Sequence, residues 1–176
     1  MIAGCKDGQR DLQKALYKRF SAKMLGVCLR YTKNRQEAED LLQEGFIKVF
    51  RNILQYQGSG SFEGWIRKVM VNTALESIRR NKILFVETDI QDLPGDFKTE
   101  AEVLGKIEMK DLLLMIQSLS PGYRLVFNLY AIEGFLHKEI AKMLDISEGT
   151  SKSQLARARM ILQEKIKQQA ATSKPV

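Results

Sequence analysis

The strongest constraint on this chain is a hydrophobic period close to 3.6 residues that persists, with one interruption, over most of its length. From Leu12 the apolar residues Leu16, Phe20, Met24, Val27, Cys28 and Tyr31 recur at helical spacing, with Lys14, Lys18, Arg19, Lys23 and Arg30 between them. This predicts a basic amphipathic helix. Asn34 followed three residues later by Glu37 reads as a capping box, and Ala38, Leu42, Gly45, Phe46, Val49 and Ile53 then trace one face of a second helix. After the Gly58-Ser59-Gly60 break, Ser61 can cap a third helix that carries Phe62, Trp65, Ile66, Val69, Met70, Ala74 and Ile78 inward. Its spacing makes Trp65 a core residue.

The interruption is acidic. Glu87, Asp89, Asp92, Asp96, Glu100 and Glu102 are relieved only by Lys98, and Pro94-Gly95 prevents a continuous helix. Helical periodicity resumes through Ile107, Leu112, Leu113 and Ile116; Ser120-Pro121 supplies an N-cap and a first-turn proline, and Gly134 ends that helix. The expected fold is all-α: two small helical domains, 10–82 and 105–170, joined by an acidic linker at 83–104, with a tail from Ala170 that frays.

Composition narrows the chemistry. The chain has 176 residues, 44% hydrophobic and 28% charged, which suits one ordinary core or two small ones. Its longest apolar runs, 112–116 and 83–86, fall far short of the roughly 18 residues needed to cross a bilayer. Met1 to Cys5 is like the end of a lipoprotein signal, but nothing basic or hydrophobic precedes that segment and Lys6, Asp7, Arg10 and Asp11 follow directly, so a cytoplasmic protein with reduced cysteines is expected. Cys5, Cys28 and His137 are the only cysteines and histidine and lie far apart, so neither a zinc site nor another metal or cofactor is expected. A net charge of +7 and a pI near 9.4 favour polyanionic partners such as nucleic acid.

The run His137 to Ser147 has helix-turn-helix spacing: Ile140, Leu144 and Ile146 supply apolar contacts, and small Ala141 permits close helix crossing. Ser147 can cap a second helix in which Ser151, Leu155, Ala158 and Leu162 face inward, leaving Lys152, Ser153, Ala156, Arg157 and Met160 outward. That outward face suits a major groove; a helical hairpin with a solvated basic face is the other reading. Arginine makes bidentate contacts to guanine, so Arg157 is the leading base-reading residue, with lysine and Thr150 available for phosphate. His137 reads as a polar or phosphate-proximal surface residue, with no catalytic partner in sight.

Taken together, Glu37 to Phe50, then Ser61-Phe62-Glu63-Gly64-Trp65-Ile66, then Val71-Asn72-Thr73-Ala74 and Arg79-Arg80 resemble region two of a bacterial sigma factor. The segment 120–166 resembles region four, and the short connection points to the extracytoplasmic-function class. The resemblance implies an alternative sigma factor, not an enzyme, that binds core RNA polymerase at its clamp coiled coil and flap, recognises minus thirty-five and minus ten elements of promoter DNA, and promotes melting. It also implies an anti-sigma factor as a partner, often at the inner membrane.

By resemblance, Asp40, Gln43, Glu44 and Ile47 dock on the clamp. The residues alone leave two readings of that helix: a solvated face steadied by pairs such as Glu44 with Lys48, or a docking surface marked by Ile47 exposed in a charged stripe. For the minus ten element the resemblance assigns Tyr56, Gln57, Ser59, Ser61 and Asn72 to a pocket for a flipped base, with Lys68, Arg79 and Arg80 on nearby backbone. For the minus thirty-five element it assigns Thr150, Lys152, Ser153, Gln154, Ala156, Arg157 and Arg159. The acidic linker would thread the polymerase cleft.

Four positions depart from the family pattern. Asp145 stands where glycine is common in this turn and must carry left-handed backbone, Leu136 stands where a capping Ser or Thr is common, and Gln154 and Ala156 replace larger or basic residues. Two other functions remain. A conventional helix-turn-helix regulator would bind operators without polymerase, but has no reason to carry the 40–50 and 65–72 segments. A metal-dependent phosphohydrolase using Glu37, Asp40 and Glu44 lacks a second cluster of ligands.

Overall fold

The computed structural model describes residues 1–80 and 108–172, with side chains as far as 169. The acidic stretch expected to be a linker lies outside the described residues, as do residues 173–176. The chain divides between Lys82 and Ile83 into two compact units. All regular structure among the described residues is helical.

The first unit comprises α1 (Ile2–Lys6), α2 (Arg10–Tyr31), α3 (Arg35–Asn52) with a 3-10 turn at Ile53–Gln55, and α4 (Phe62–Arg80). Helices α2, α3 and α4 pack pairwise. Their core takes Leu16, Met24, Val27 and Cys28 from α2 and Ala38, Leu42, Phe46 and Val49 from α3, as the spacing predicts; from α4 it takes the predicted Ile66, Met70 and Ala74 together with Val71 and Leu75, which the spacing does not mark, while Phe62, Val69 and Ile78 are half-buried. The start of α3 is fixed locally. Asn34 Oδ1 accepts from the Glu37 amide at 2.9 Å, while the Glu37 carboxylate accepts from the Lys33 amide at 3.0 Å. The predicted reciprocal cap forms, displaced by one residue on its return arm.

Two expectations need correction here. The unit begins at Met1 rather than near residue 10, because α1 packs on α2 and buries Gly4 and Cys5. Trp65 is half-buried rather than core: its ring stacks on Phe62 at 5.6 Å and meets Tyr56 at 5.7 Å, forming an aromatic cluster at the start of α4. Gly45, placed on the inner face by its spacing, is there for space. A Cβ on it would run into Met70 Sδ, so the Met70 side chain of α4 fills the space that a larger residue at 45 would take.

The second unit contains α5 (Met109–Gln117), α6 (Pro121–Phe127), a π turn at Asn128–Ile132, α7 (His137–Leu144) and α8 (Glu148–Thr172). Ile116, Leu119, Ala158 and Leu162 form its core with Leu112, Tyr123 and Phe127 packed around them. Ser120 and Pro121 occupy the predicted first positions of α6, but the serine contributes its carbonyl, which accepts from the Arg124 amide at 2.9 Å, and not its hydroxyl. Gly134 ends the segment with φ +79°, after a π turn that the periodicity does not announce.

Helices α7 and α8 make the expected helix-turn-helix. Asp145 sits at φ 56°, ψ 49°, the left-handed conformation that glycine adopts more cheaply, and the Ile146 amide closes the turn onto the Ala141 carbonyl at 3.1 Å. Ser147 Oγ accepts from the Thr150 amide at 2.9 Å and caps α8 as predicted. His137 lies flat against Tyr130 of the π turn, 4.4 Å between centroids, and its Nδ1 shares a 2.9 Å hydrogen bond with Ser151 Oγ of α8. Burial, then the nearby Lys152 and Arg159 cations, push the imidazole pKa below its ordinary value, against a smaller opposing effect of Glu148.

Two predictions follow from this packing. Gly45→Val should destabilise the first unit by about 1–3 kcal/mol through overpacking against Met70, read by denaturant unfolding with the single Trp65 as reporter. For His137 the folded pKa is depressed, so the unfolded chain binds the extra proton first. Stability of the second unit should hold above the unfolded value of about 6.5 and fall as pH drops toward the depressed folded value. His137→Gln should flatten that decline in thermal melts followed by circular dichroism.

Candidate nucleic-acid interface

The outward side of α3 carries an exposed stripe. Asp40 and Gln43 are exposed, Ile47 is 59% exposed, and Leu54 on the following 3-10 turn is 70% exposed. Ile47 and Leu54 are both apolar, Ile47 within α3 and Leu54 on the turn that follows it. The sequence reading runs this helix to about Leu54 and singles out Ile47 alone; the helix ends at Asn52 and leaves Leu54 on the following turn. Glu44 differs from its neighbours: Lys48 Nζ lies 3.2 Å away, and Arg80 Nη2 donates to both of its oxygens at 2.9 and 3.0 Å.

Lys48 also reaches Glu76 at 2.7 Å. Partial burial of Lys48 works against its charge, but hydrogen bonds from Lys48 to the Glu76 and Glu44 carboxylates outweigh that and hold its pKa above the usual lysine value. Two expectations change. Glu44 is tied into a network spanning α3 and α4, and Arg80, expected on DNA backbone, turns back to Glu44 because the helix seam places that carboxylate within its reach.

Between α3 and α4 runs the loop 56–61. Gln57, Ser59 and Ser61 are exposed, and the chain turns through Gly58 and Gly60 at φ +82° and +76°, conformations that residues with a Cβ rarely adopt. Ser61 Oγ is engaged as the cap of α4, accepting from the Gly64 amide at 3.0 Å. Tyr56 is half-buried: its ring meets Phe62 edge-on at 4.9 Å and its hydroxyl donates to the Gly60 carbonyl at 2.9 Å.

On α4 itself Lys68, Asn72 and Arg79 are exposed along one side. Ten residues of helix separate Phe62 from Asn72, an axial rise of about 15 Å.

In the second unit the recognition-helix residues divide. Lys152 is exposed, with its amine 4.0 Å from Glu148; Ala156, Arg157 and Met160 are partly exposed. Thr150 is partly exposed and its hydroxyl shares a 2.8 Å hydrogen bond with Ser147. Arg159 is exposed, its guanidinium 5.6 Å from the centroid of the Tyr130 ring, a cation–π contact that restrains its direction. Tyr130 thus orders both His137 and Arg159, a role that no local pattern marks.

Ser153 and Gln154 were expected on the DNA-facing side, and the structure places both inside. Ser153 is 3% exposed and its hydroxyl donates to the Thr150 carbonyl at 3.0 Å; Gln154 is 1% exposed. One turn of α8 buries Ser151, Ser153, Gln154 and Leu155, a wider arc than a single hydrophobic stripe. The accessible set is Thr150, Lys152, Ala156, Arg157 and Arg159. Among the described residues no group of His, Cys, Asp or Glu side chains could hold a metal ion, and no helix is long and apolar enough to cross a membrane.

Comparison with known proteins agrees with this division. Residues 16–83 match Sigma-70 region 2, and residues 109–162 match Sigma-70, region 4. The chain is 31% identical over 153 residues to the ECF RNA polymerase sigma factor SigE of Mycolicibacterium smegmatis, a match covering 85% of this chain and 59% of that protein's length. It is 27% identical to the ECF RNA polymerase sigma-E factor of Haemophilus influenzae, over 94% of this chain and 93% of that protein. Its fold resembles that of the sigma factor RpoE, solved in complex with the anti-sigma factor NepR from Bartonella quintana, with a TM-score of 0.53, 20% identity, and 88% and 96% of the two chains covered. With region 2 preceding region 4 and the two matches spanning more than half of its length, the chain belongs to the sigma-70 family.

Proposed function

We propose that this protein is an alternative sigma factor of the extracytoplasmic-function type. It binds core RNA polymerase, recognises minus thirty-five and minus ten promoter elements, and promotes melting. The observation that carries the reading is the pairing, in one chain, of a region 4 helix-turn-helix with a region 2 bundle whose α3 exposes Ile47 and Leu54 beside Asp40 and Gln43. An operator-binding regulator would use the first and has no need of the second.

Each surface then has a task. Asp40, Gln43, Ile47 and Leu54 dock on the polymerase clamp, where two exposed apolar side chains ringed by polar ones suit an interface core with a polar rim. Gln57, Ser59 and the backbone of the 56–61 loop hold an extruded base of the nontemplate strand, and stacking and edge contacts there offset the unstacking cost. Asn72, with a donor and an acceptor, meets the same strand farther along α4, and Lys68 and Arg79 take backbone phosphates. In α8, Arg157 reads a base edge, while Thr150, Lys152 and Arg159 hold phosphate.

An anti-sigma factor is a natural antagonist, because a protein covering the α3 stripe would block core binding. The relative solved with NepR is bound to such a factor. The reading makes the protein an initiation factor with no catalytic chemistry of its own.

Run-off transcription from fragmented genomic DNA, with core polymerase in the presence and absence of the protein, tests the proposal. Protein-dependent starts sharing two upstream elements are expected; absent both new starts and core binding, the operator-binding regulator takes its place. Ile47→Arg should cut core affinity severely in a pull-down or fluorescence titration while leaving the isolated protein's melting temperature unchanged. Arg157→Ala should lose about 1–3 kcal/mol of discrimination at one minus thirty-five base pair, measured by binding to single-base variants. Lys152→Ala should weaken all sites alike and reduce the salt slope by about 1.

A further inference from the structure

Helix α1 lies ahead of the residues that match region 2 and has no part in the surfaces described so far. It is nevertheless seated firmly. Cys5 is 2% exposed, the Gln9 amide donates to the Gly4 carbonyl at 2.9 Å, and a Cβ on Gly4 would lie 2.1 Å from Leu12 Cδ1 and 3.0 Å from Gln9 Oε1. A helix this short is not stable alone, so its packing on α2 and on the 3-10 turn after α3 holds it.

The last residue of α1 crosses to the far side of the sequence. Lys6 Nζ donates to the Tyr56 carbonyl at 2.8 Å, fifty residues away and partly shielded from water. Tyr56 is the first residue of the 56–61 loop, and it is held at three further points: its amide donates to the Ile53 carbonyl at 3.2 Å, its hydroxyl donates to the Gly60 carbonyl at 2.9 Å, and its ring packs against Phe62 and Trp65. The Lys6 bond fixes the entry of the loop, and the Tyr56 hydroxyl fixes its exit. Between them stand Gln57, Gly58 and Ser59, with backbone that would otherwise sample many conformations.

We propose that Lys6 is a positioning residue for promoter opening: through Tyr56 it holds the 56–61 loop in the shape that receives the extruded base. The inference rests on the assignment of that loop to the nontemplate strand. A loop ordered before binding does not lose its conformational freedom at the moment the base arrives, so the tie favours capture without touching DNA. A charged donor to a carbonyl is a stronger tie than a neutral one. Lys6 is not among the residues assigned to core docking or to minus thirty-five recognition, so neither is expected to depend on it.

The test uses the full-length protein in holoenzyme, on a promoter found by the run-off experiment, with permanganate reactivity of the minus ten thymines as the measure of opening. Core affinity is measured alongside. Lys6→Met is expected to lower opening about tenfold, the scale of one charge-assisted hydrogen bond, and to weaken preference for the extruded base, with core affinity unchanged. Lys6→Arg, which keeps a charged donor, is expected to restore most of both. A Gln57→Ala, Ser59→Ala double variant separates the layers of the inference. Loss of opening in that variant with normal opening in Lys6→Met overturns the role of Lys6 alone; normal opening in both overturns the loop assignment and the proposal with it. Equal loss of core affinity and opening in Lys6→Met, unrescued by arginine, makes Lys6 a general structural residue and also overturns the proposal.

Discussion

The seam between α3 and α4 sets the geometry of everything the first unit presents. Gly45 lets the two helices close until Met70 fills the space a side chain would take, and Val49, Ile66 and Ala74 are almost fully buried in the surrounding core. Close approach fixes the rotation of each helix as well as its distance, because interiors pack at crystal-like density and leave little room to turn. With the inner stripes locked, the outer side of α3 must show Asp40, Gln43 and Ile47, and that of α4 must show Lys68, Asn72 and Arg79. The face proposed for docking and the face proposed for the nontemplate strand therefore come from one packing decision.

The second unit solves a narrower problem, which is to hold one helix at a fixed angle with its basic side open. Ile140, Leu144 and Leu155 bury the crossing of α7 and α8, and the turn between them is tight enough to require left-handed backbone at Asp145. The π turn adds a support that a regular helix would not. By placing Tyr130 against His137 and under Arg159, it couples the start of α7 to the exposed side of α8. A guanidinium already stacked on a ring loses less freedom when it meets a phosphate than one waving in solvent.

Much of this was legible in the sequence wherever the determining interaction is local. The caps at Asn34, Ser61 and Ser147, the core stripes, the turn at Asp145 and the exposure of Ile47 all follow from residues within about one helical turn of each other. What was not legible depends on partners far along the chain. Arg80 meets Glu44 across 36 residues and Lys6 meets Tyr56 across 50, and no periodicity encodes either pair. Ser153 and Gln154 were misplaced for a related reason. A wheel assigns a residue to one side of a helix, whereas a neighbour such as α7 lying across the first turns covers a broader arc than the wheel's apolar stripe.

The Glu44 network shows how such a distant pair bears on function. Arg80 is 62% exposed at its side chain and Glu44 is 35% exposed, so their attraction is largely screened by water and salt. Exposed pairs of this kind are worth about 0–1 kcal/mol. Breaking one is therefore cheap, and Arg80 can leave Glu44 for a phosphate, or Glu44 can leave Arg80 for a cation on a docked protein, at a small cost. Lys48, more buried and bonded to both Glu44 and Glu76, stays behind to keep Glu44 from being left as an uncompensated charge. The network thus keeps the free protein's carboxylate and guanidinium mutually satisfied while leaving both open to exchange, which is the behaviour expected of groups at the edge of the two proposed interfaces rather than in the core of either.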